Sequence, residues 1–133
     1  MKTESIQIKT HQREELVDIT SAVQSFVTKS GINEGIVFLH VPHTTAAVTI
    51  NENADPDVTR DILYKLNKEI PQSDGYHHGE GNSDAHVKSS LVGPALSLII
   101  SGGRMLLGTW QGIYFCEFDG PRTRSLYLKA IEG

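Results

Sequence analysis

The sequence predicts one mixed α+β domain spanning residues 1–133. Strand-like alternation recurs along most of the chain, while helical periodicity is confined to two or three stretches. Those helices do not alternate strictly with the strands, which argues against a parallel βαβ fold. No linker, internal repeat or low-complexity tract interrupts the 133 residues, a length that supports one core.

Taken in order, Ser5–Lys9 alternates with Ile6 and Ile8 on one side and reads as the first strand. Glu14–Ile19 reads as the second, with Gln12 and Arg13 in the turn before it. Thr20 is placed to cap a helix whose Val23, Phe26 and Val27 share one face, with Gly31 ending it. Ile36–Val41 is a nearly unbroken apolar run rich in β-branched residues, the pattern of a strand buried on both faces. Pro42 lacks an amide proton and stops its pairing, and Thr45–Asn51 resumes a strand. Asp55-Pro56 pairs a capping carboxylate with a proline suited to the first helical turn. That helix carries an apolar stripe of Val58, Ile62, Leu63 and Leu66, and Pro71 closes the segment. Asp84 is a candidate cap for a short helix carrying Val87 and Leu91 toward Gly93-Pro94. Leu96–Ser101, the turn Gly102-Gly103 and Met105–Leu107 form a hairpin. Gly112–Phe118 is a strand, Asp119-Gly120-Pro121 a turn, and Ser125–Ile131 the closing strand.

Composition excludes several classes. A net charge of −4 and a pI near 5.8 leave no basic footprint for nucleic acid. No apolar run approaches the ~20 residues a membrane span needs, and the N-terminal residues lack the apolar core of a secretion signal. The single cysteine, Cys116, rules out an internal disulfide and fits a reducing compartment, so a soluble cytoplasmic protein is expected. In mid-strand, Cys116 is expected to be inert packing.

The chemistry concentrates between Ser73 and Ser89. His77, His78 and His86 lie there with Asp74, Glu80, Asn82 and Asp84, jointed by Gly75, Gly79 and Gly81. The run lacks regular apolar periodicity and reads as a loop. Imidazole near neutral pH both ligates metals and titrates, so such a loop suits an ion or proton transfer; a solvated surface loop is the bland reading. His43 emerges where Pro42 breaks a buried strand, poised for a site or for a turn carbonyl; His40, inside the apolar run, suits the core or an interface. Together His43, His78 and His86 would make a three-nitrogen metal site with one open position. Helix-borne H-E-x-x-H spacing is absent. Glu52 could serve as a general base, whereas Asp55 is mainly a helix cap. Trp110 and Gln111, flanked by Gly108 and Gly112, suit a flat heteroaromatic ligand, a core position or an interface equally. Arg122 could hold a phosphate or simply pair with Asp119.

Pro42-His43-Thr44-Thr45-Ala46-Ala47, Asn51-Glu52, Gly81-Asn82 with Asp84-Ala85-His86, Gly108-Thr109-Trp110-Gln111-Gly112 and Glu117-Phe118-Asp119-Gly120-Pro121-Arg122 together resemble the YjbQ-like family. That family is catalogued as uncharacterised and described as secondary thiamine-phosphate synthases. The resemblance covers about two-thirds of the chain, from Gly35 to Arg124. It implies a mixed, largely antiparallel, barrel-like sheet and a homotrimer with a polar site at a subunit boundary. Its implied reaction couples hydroxymethylpyrimidine diphosphate to a thiazole phosphate and releases diphosphate. The implied catalytic set is His43, Glu52, Asp84 and His86. A divalent ion on His43, His78 and His86, zinc-class or else magnesium or manganese, would assist. Asn82, Lys88, Trp110, Gln111 and Arg122 would hold the small-molecule substrate, with Arg124 a further cation for the diphosphate. Two alternatives stand beside this reading: a metal-dependent hydrolase of a small ester, lactone or phosphate with Glu52 or Asp84 as base, and a non-enzymatic trimeric binding module.

Overall fold

The computed structural model describes residues 2–133. The elements run β1 (Glu4–Lys9), β2 (Glu15–Asp18), α1 (Thr20–Ser30), β3 (Glu34–His40), β4 (Ala46–Glu52), α2 (Pro56–Glu69), α3 (Ser83–Val92), β5 (Ala95–Ser101), β6 (Arg104–Met105), β7 (Gln111–Glu117) and β8 (Thr123–Glu132). Two sheets form, ordered β1-β8-β3-β5-β6 and β2-β7-β4, and every strand pairing is antiparallel. The result is an α+β fold with a curled, half-barrel arrangement of strands.

The core lies between the sheets. Val37, Leu39, Leu98, Ile100, Leu126 and Leu128 of the larger sheet meet Ala46, Val48, Ile113 and Phe115 of the smaller one. Val23, Phe26 and Val27 of α1 join this core, and Gly31 takes the left-handed conformation that ends the helix, at φ 70°. Gly35 permits a close backbone approach between β3 and β8, because a Cβ there would collide with the Ile131 carbonyl oxygen. A second, smaller core of Ala47, Ala85, Cys116 and Phe118, with Leu63 and Leu66 against it, joins the smaller sheet's other face to α3 and α2.

This layering corrects the expected strand buried on both faces. That strand is β7, whose Gly112–Glu117 are all buried because a sheet covers one face and helices the other. β3 instead alternates, with Ile36, Phe38 and His40 exposed, so His40 is not a core residue. The stripe on α2 is likewise only partly covered, with no residue fully buried. Asp55 does cap α2, its Oδ1 accepting from the Asp57 amide at 2.9 Å. α1 begins at Thr20 rather than after it; Thr20 N–H and Oγ1–H both donate to Asp18 Oδ1, at 2.9 and 2.6 Å. The short helix expected after the histidines is α3, which takes Ser83–Ser89 of the run and leaves Ser73–Asn82 as the loop. Asn82 occupies the capping position, Asp84 points inward, and Val87 and Leu91 face outward.

The exposed face of the larger sheet carries an apolar row among polar residues, with Ser5 and Gln7 of β1, Ser97 of β5 and Lys129 of β8 on the same face. Register sets Ile99 and Ile131 on either side of Ile36, and Leu106 donates its amide to the Ile99 carbonyl at 2.9 Å. An apolar row of Leu106, Ile99, Ile36 and Ile131 thus runs from the residue after β6 across β5 and β3 to β8, with Phe38 and Tyr127 beside it; Phe38 is 42% exposed. Among the described residues no helix is long and apolar enough to cross a membrane.

Candidate functional site

Two buried ion clusters hold the site in place. In the first, Lys88 Nζ donates to Asp84 Oδ2 at 2.9 Å, Glu14 Oε2 at 3.0 Å and Asn67 Oδ1 at 2.5 Å. Asp84 also takes a two-pronged contact from Arg13, at 3.0 and 3.2 Å. Lys88 and Asp84 are both fully buried. Burial pushes the Asp84 carboxyl up, but the hydrogen bonds from Arg13 and Lys88 outweigh it and hold the group below its ordinary range. The cluster ties the turn before β2 and the end of α2 to α3.

The second cluster bridges the two sheets. Glu117 of β7 accepts from Nε and Nη2 of Arg124 on β8 and from Thr10 Oγ1 at 2.8 Å. Arg124 continues to Thr45 Oγ1 at 2.9 Å. Burial raises the Glu117 carboxyl, yet the hydrogen bonds from Arg124, the Asp119 amide and Thr10 bring it below its ordinary range. Cys116 next to it is buried, its thiol pushed up to about 12, which makes it inert packing.

His43 sits at the edge of this second cluster. Extending the β3–β8 register would set Pro42 opposite Ser125, but the chain has already left the ladder. The Ser125 amide donates instead to His43 Nε2 at 2.9 Å. Burial, and then the positive charge of Arg124, lower the pKa of His43, with Arg122 adding to the effect. The imidazole is thereby biased toward its neutral form.

From His43 a cleft of about 460 Å³ opens between the start of β4 and the C-terminal half of α3, lined by His43, Thr44, Ala46, His86, Ser89, Ser90 and Pro94. His86 also lines a second cleft of about 470 Å³, which contains Tyr76, His77 and His78. The His78 and His86 rings stand edge to face, 5.7 Å between centroids. The loop carrying His77 and His78 is anchored by Tyr76 Oη–H to the Pro71 carbonyl at 2.7 Å and by Gln72 to the Gly81 carbonyl at 3.1 Å.

The expected site residues therefore fall into separate groups. His43 and His86 share one cleft, and His78 and His86 share the next. Asn82 Nδ2 donates to Asp119 Oδ2 at 2.9 Å, and Arg122 reaches the same oxygen at 3.2 Å with its side chain 50% exposed. Glu52, Trp110 and Gln111 lie at the other end of the smaller sheet. Register pairs Ala46 with Glu117 and Glu52 with Gln111, so Glu52 is about 20 Å along β4 from the His43 end. Trp110 is 63% exposed, on a turn closed by Gly108 and Gln111. Asp84, Lys88 and Arg124 are enclosed in the ion clusters, out of reach of a substrate in the clefts. Among the described residues no three His, Cys, Asp or Glu side chains converge on a point that could hold an ion. The His43–His78–His86 trio thus does not assemble as a metal cage within one chain.

Ser89, Arg13 and Glu14 carry no sequence signal for the places they take at the site. The four-residue spacing of Asp84 and Lys88 signals their pair, but Arg13 is 71 residues from Asp84 and nothing local announces it. Ser89 lies one helical turn beyond His86 and looks like any polar helix residue.

Known proteins agree with this architecture throughout. Residues 4–133 match the family described as UPF0047 protein YjbQ-like. A UPF0047 protein of Methanocaldococcus jannaschii is 58% identical, covering 94% of this chain and 91% of its own length. UPF0047 protein YugU of Bacillus subtilis is 52% identical, covering 96% and 97%. A crystal structure of a YjbQ/UPF0047 protein from Clostridium acetobutylicum superposes with a TM-score of 0.95 at 52% identity, over 96% of this chain and 99% of that one. A hypothetical protein from Aeropyrum pernix reaches a TM-score of 0.95 at 35% identity, over the full length of both chains.

Proposed function

This chain belongs to the YjbQ-like UPF0047 family, and from that premise we propose that it is a self-assembling enzyme of the secondary thiamine-phosphate synthase type, acting at the His43–His86 cleft. The observation that carries this reading is the lining of the cleft: imidazoles and hydroxyls, with no carboxylate. Such a surface accepts a phosphorylated substrate without repelling it, whereas a hydrolytic site would want a carboxylate base close by. Glu52 is at the wrong end of β4 and Asp84 is locked to Arg13 and Lys88, so the hydrolase reading loses both of its bases. Arg122, beside Asn82 and Asp119, is the half-exposed cation available to the departing diphosphate.

The apolar row across the larger sheet supports the homotrimer that the resemblance implies. Faces of this kind are ordinarily covered by a partner, and a second copy of the chain is the partner proposed. The binding-module alternative shares this assembly and differs in lacking turnover.

The test combines two measurements on the purified protein. Thiamine phosphate formed from hydroxymethylpyrimidine diphosphate and thiazole phosphate is assayed beside His86→Ala, and subunit number is read by sedimentation equilibrium. Product in the wild type, its loss in a still-trimeric His86→Ala protein, and dissociation by Phe38→Glu are expected. A wild-type trimer that forms no product would sink the enzyme and leave the binding module; a wild-type monomer would sink the assembly.

A further inference from the structure

We propose that His43 and Ser89 form a two-donor subsite for an anionic oxygen of the ligand, a phosphate or carboxylate oxygen, with His43 serving as a fixed hydrogen-bond donor and not as a metal ligand. The proposal rests on the reading of the His43–His86 cleft as the ligand site and names the group that the cleft recognises.

The role of His43 follows from its partner. A backbone amide can only donate, so the Nε2 facing the Ser125 N–H at 2.9 Å must present its lone pair. A neutral imidazole with an unprotonated Nε2 carries its proton on Nδ1. Both nitrogens are then committed: Nε2 accepts from the strand and Nδ1–H can only donate. Coordination through Nδ1 would require an imidazolate, and coordination through Nε2 would strip the Ser125 amide of its acceptor. The surroundings favour the neutral ring, since burial and the neighbouring Arg124 and Arg122 all disfavour a second proton.

Ser89 supplies the second donor. Its side chain is almost wholly enclosed, the residue 6% exposed, and its Oγ has no hydrogen-bond partner. A buried hydroxyl left unmet is costly, and such groups call for an explanation in a native fold. Ser89 stands three residues after His86 on α3, on the same helical face, and both line the cleft with His43. The neighbouring Ser90 hydroxyl is already spent on the His86 carbonyl at 2.9 Å. Two unspent donors and no carboxylate along one wall describe a pocket that lacks an acceptor, and an anionic oxygen supplies one.

The experiment uses the intact, assembled protein labelled with ¹⁵N at histidine. Long-range ¹H–¹⁵N spectra at neutral pH are expected to show His43 protonated at Nδ1, unmoved when zinc is added. Inorganic phosphate and acetate are then titrated in turn. The anion whose source chemistry fits is expected to shift the His43 resonances and to bind roughly tenfold or more weakly to Ser89→Ala. His43 protonated at Nε2, a zinc-induced shift at His43, or equal anion affinity in Ser89→Ala would each overturn the proposal, as would failure of both anions to bind. Ser89-dependent anion binding in a protein that forms no thiamine phosphate would uphold this subsite while removing the synthase reading, so the two can fail separately.

Discussion

Replacing Lys88 by methionine tests whether the enclosed ion cluster holds α3 in place. The ammonium has three protons and uses all of them, on Asp84, Glu14 and Asn67. Methionine fills a similar volume but leaves the two carboxylates sharing Arg13 alone. Breaking a buried ion pair by removing one partner costs about 3–5 kcal/mol. Because Arg13 still serves Asp84, the lower end, about 3 kcal/mol, is expected here. Unfolding entropy of roughly 2.1 cal/mol/K per residue gives about 280 cal/mol/K for this chain, so the melting temperature should fall by about 11 °C. Circular dichroism melts at one fixed protein concentration provide the measurement, since self-assembly makes the midpoint concentration-dependent. Adding Glu14→Gln to Lys88→Met removes a carboxylate stranded by the first change and should recover about 1 kcal/mol. A single-variant loss below about 1 kcal/mol, or a double variant weaker than the single, would refute the reasoning.

Three further outcomes follow from the same geometry. In Gly35→Ala the new Cβ would overlap the Ile131 carbonyl oxygen and lie 2.9 Å from Ile32 Cγ2; β3 and β8 must separate locally, and a loss of about 1–3 kcal/mol or more is expected in denaturant titrations. Asp55→Ala removes the cap of α2 and should cost about 1 kcal/mol, read as roughly fivefold faster amide exchange confined to that helix. Acidification should weaken the fold in two stages. His43 is lowered in the folded state, so its contribution is complete above the ordinary histidine value of about 6.5 and is lost as pH falls through its lower folded value. Asp84 and Glu117, also lowered, contribute above the ordinary carboxylate range of about 4 and fail below it as pH falls through their folded values. Melts of His43→Gln, whose amide oxygen can still accept from Ser125, should lack the first stage and keep the second.

What the sequence by itself determined was local. The Asp55-Pro56 start of α2, the Gly31 stop of α1, the break at Pro42 and the alternation of β1, β4 and β8 each rest on residues within a few positions of one another. Propensity, capping and period-2 patterning act at that range. The family resemblance was legible for the same reason, as a set of short motifs. Only the tertiary structure decided which faces are covered. β3 and β7 are both rich in apolar residues, yet β7 is the strand enclosed on both sides, because α2 and α3 pack on the outer face of the smaller sheet while the outer face of the larger one has no helix on it. Charge roles were decided the same way. Asp84, Lys88 and Arg124 look like ligand-facing groups in sequence, and in the fold they neutralise Arg13, Glu14 and Glu117 inside the protein. His43 meets its partner Ser125 across 82 residues, a contact set by strand register that no local pattern encodes. Burial and ion pairing depend on which distant segments the sheet brings together, and that is information held by the register and not by any single stretch of chain.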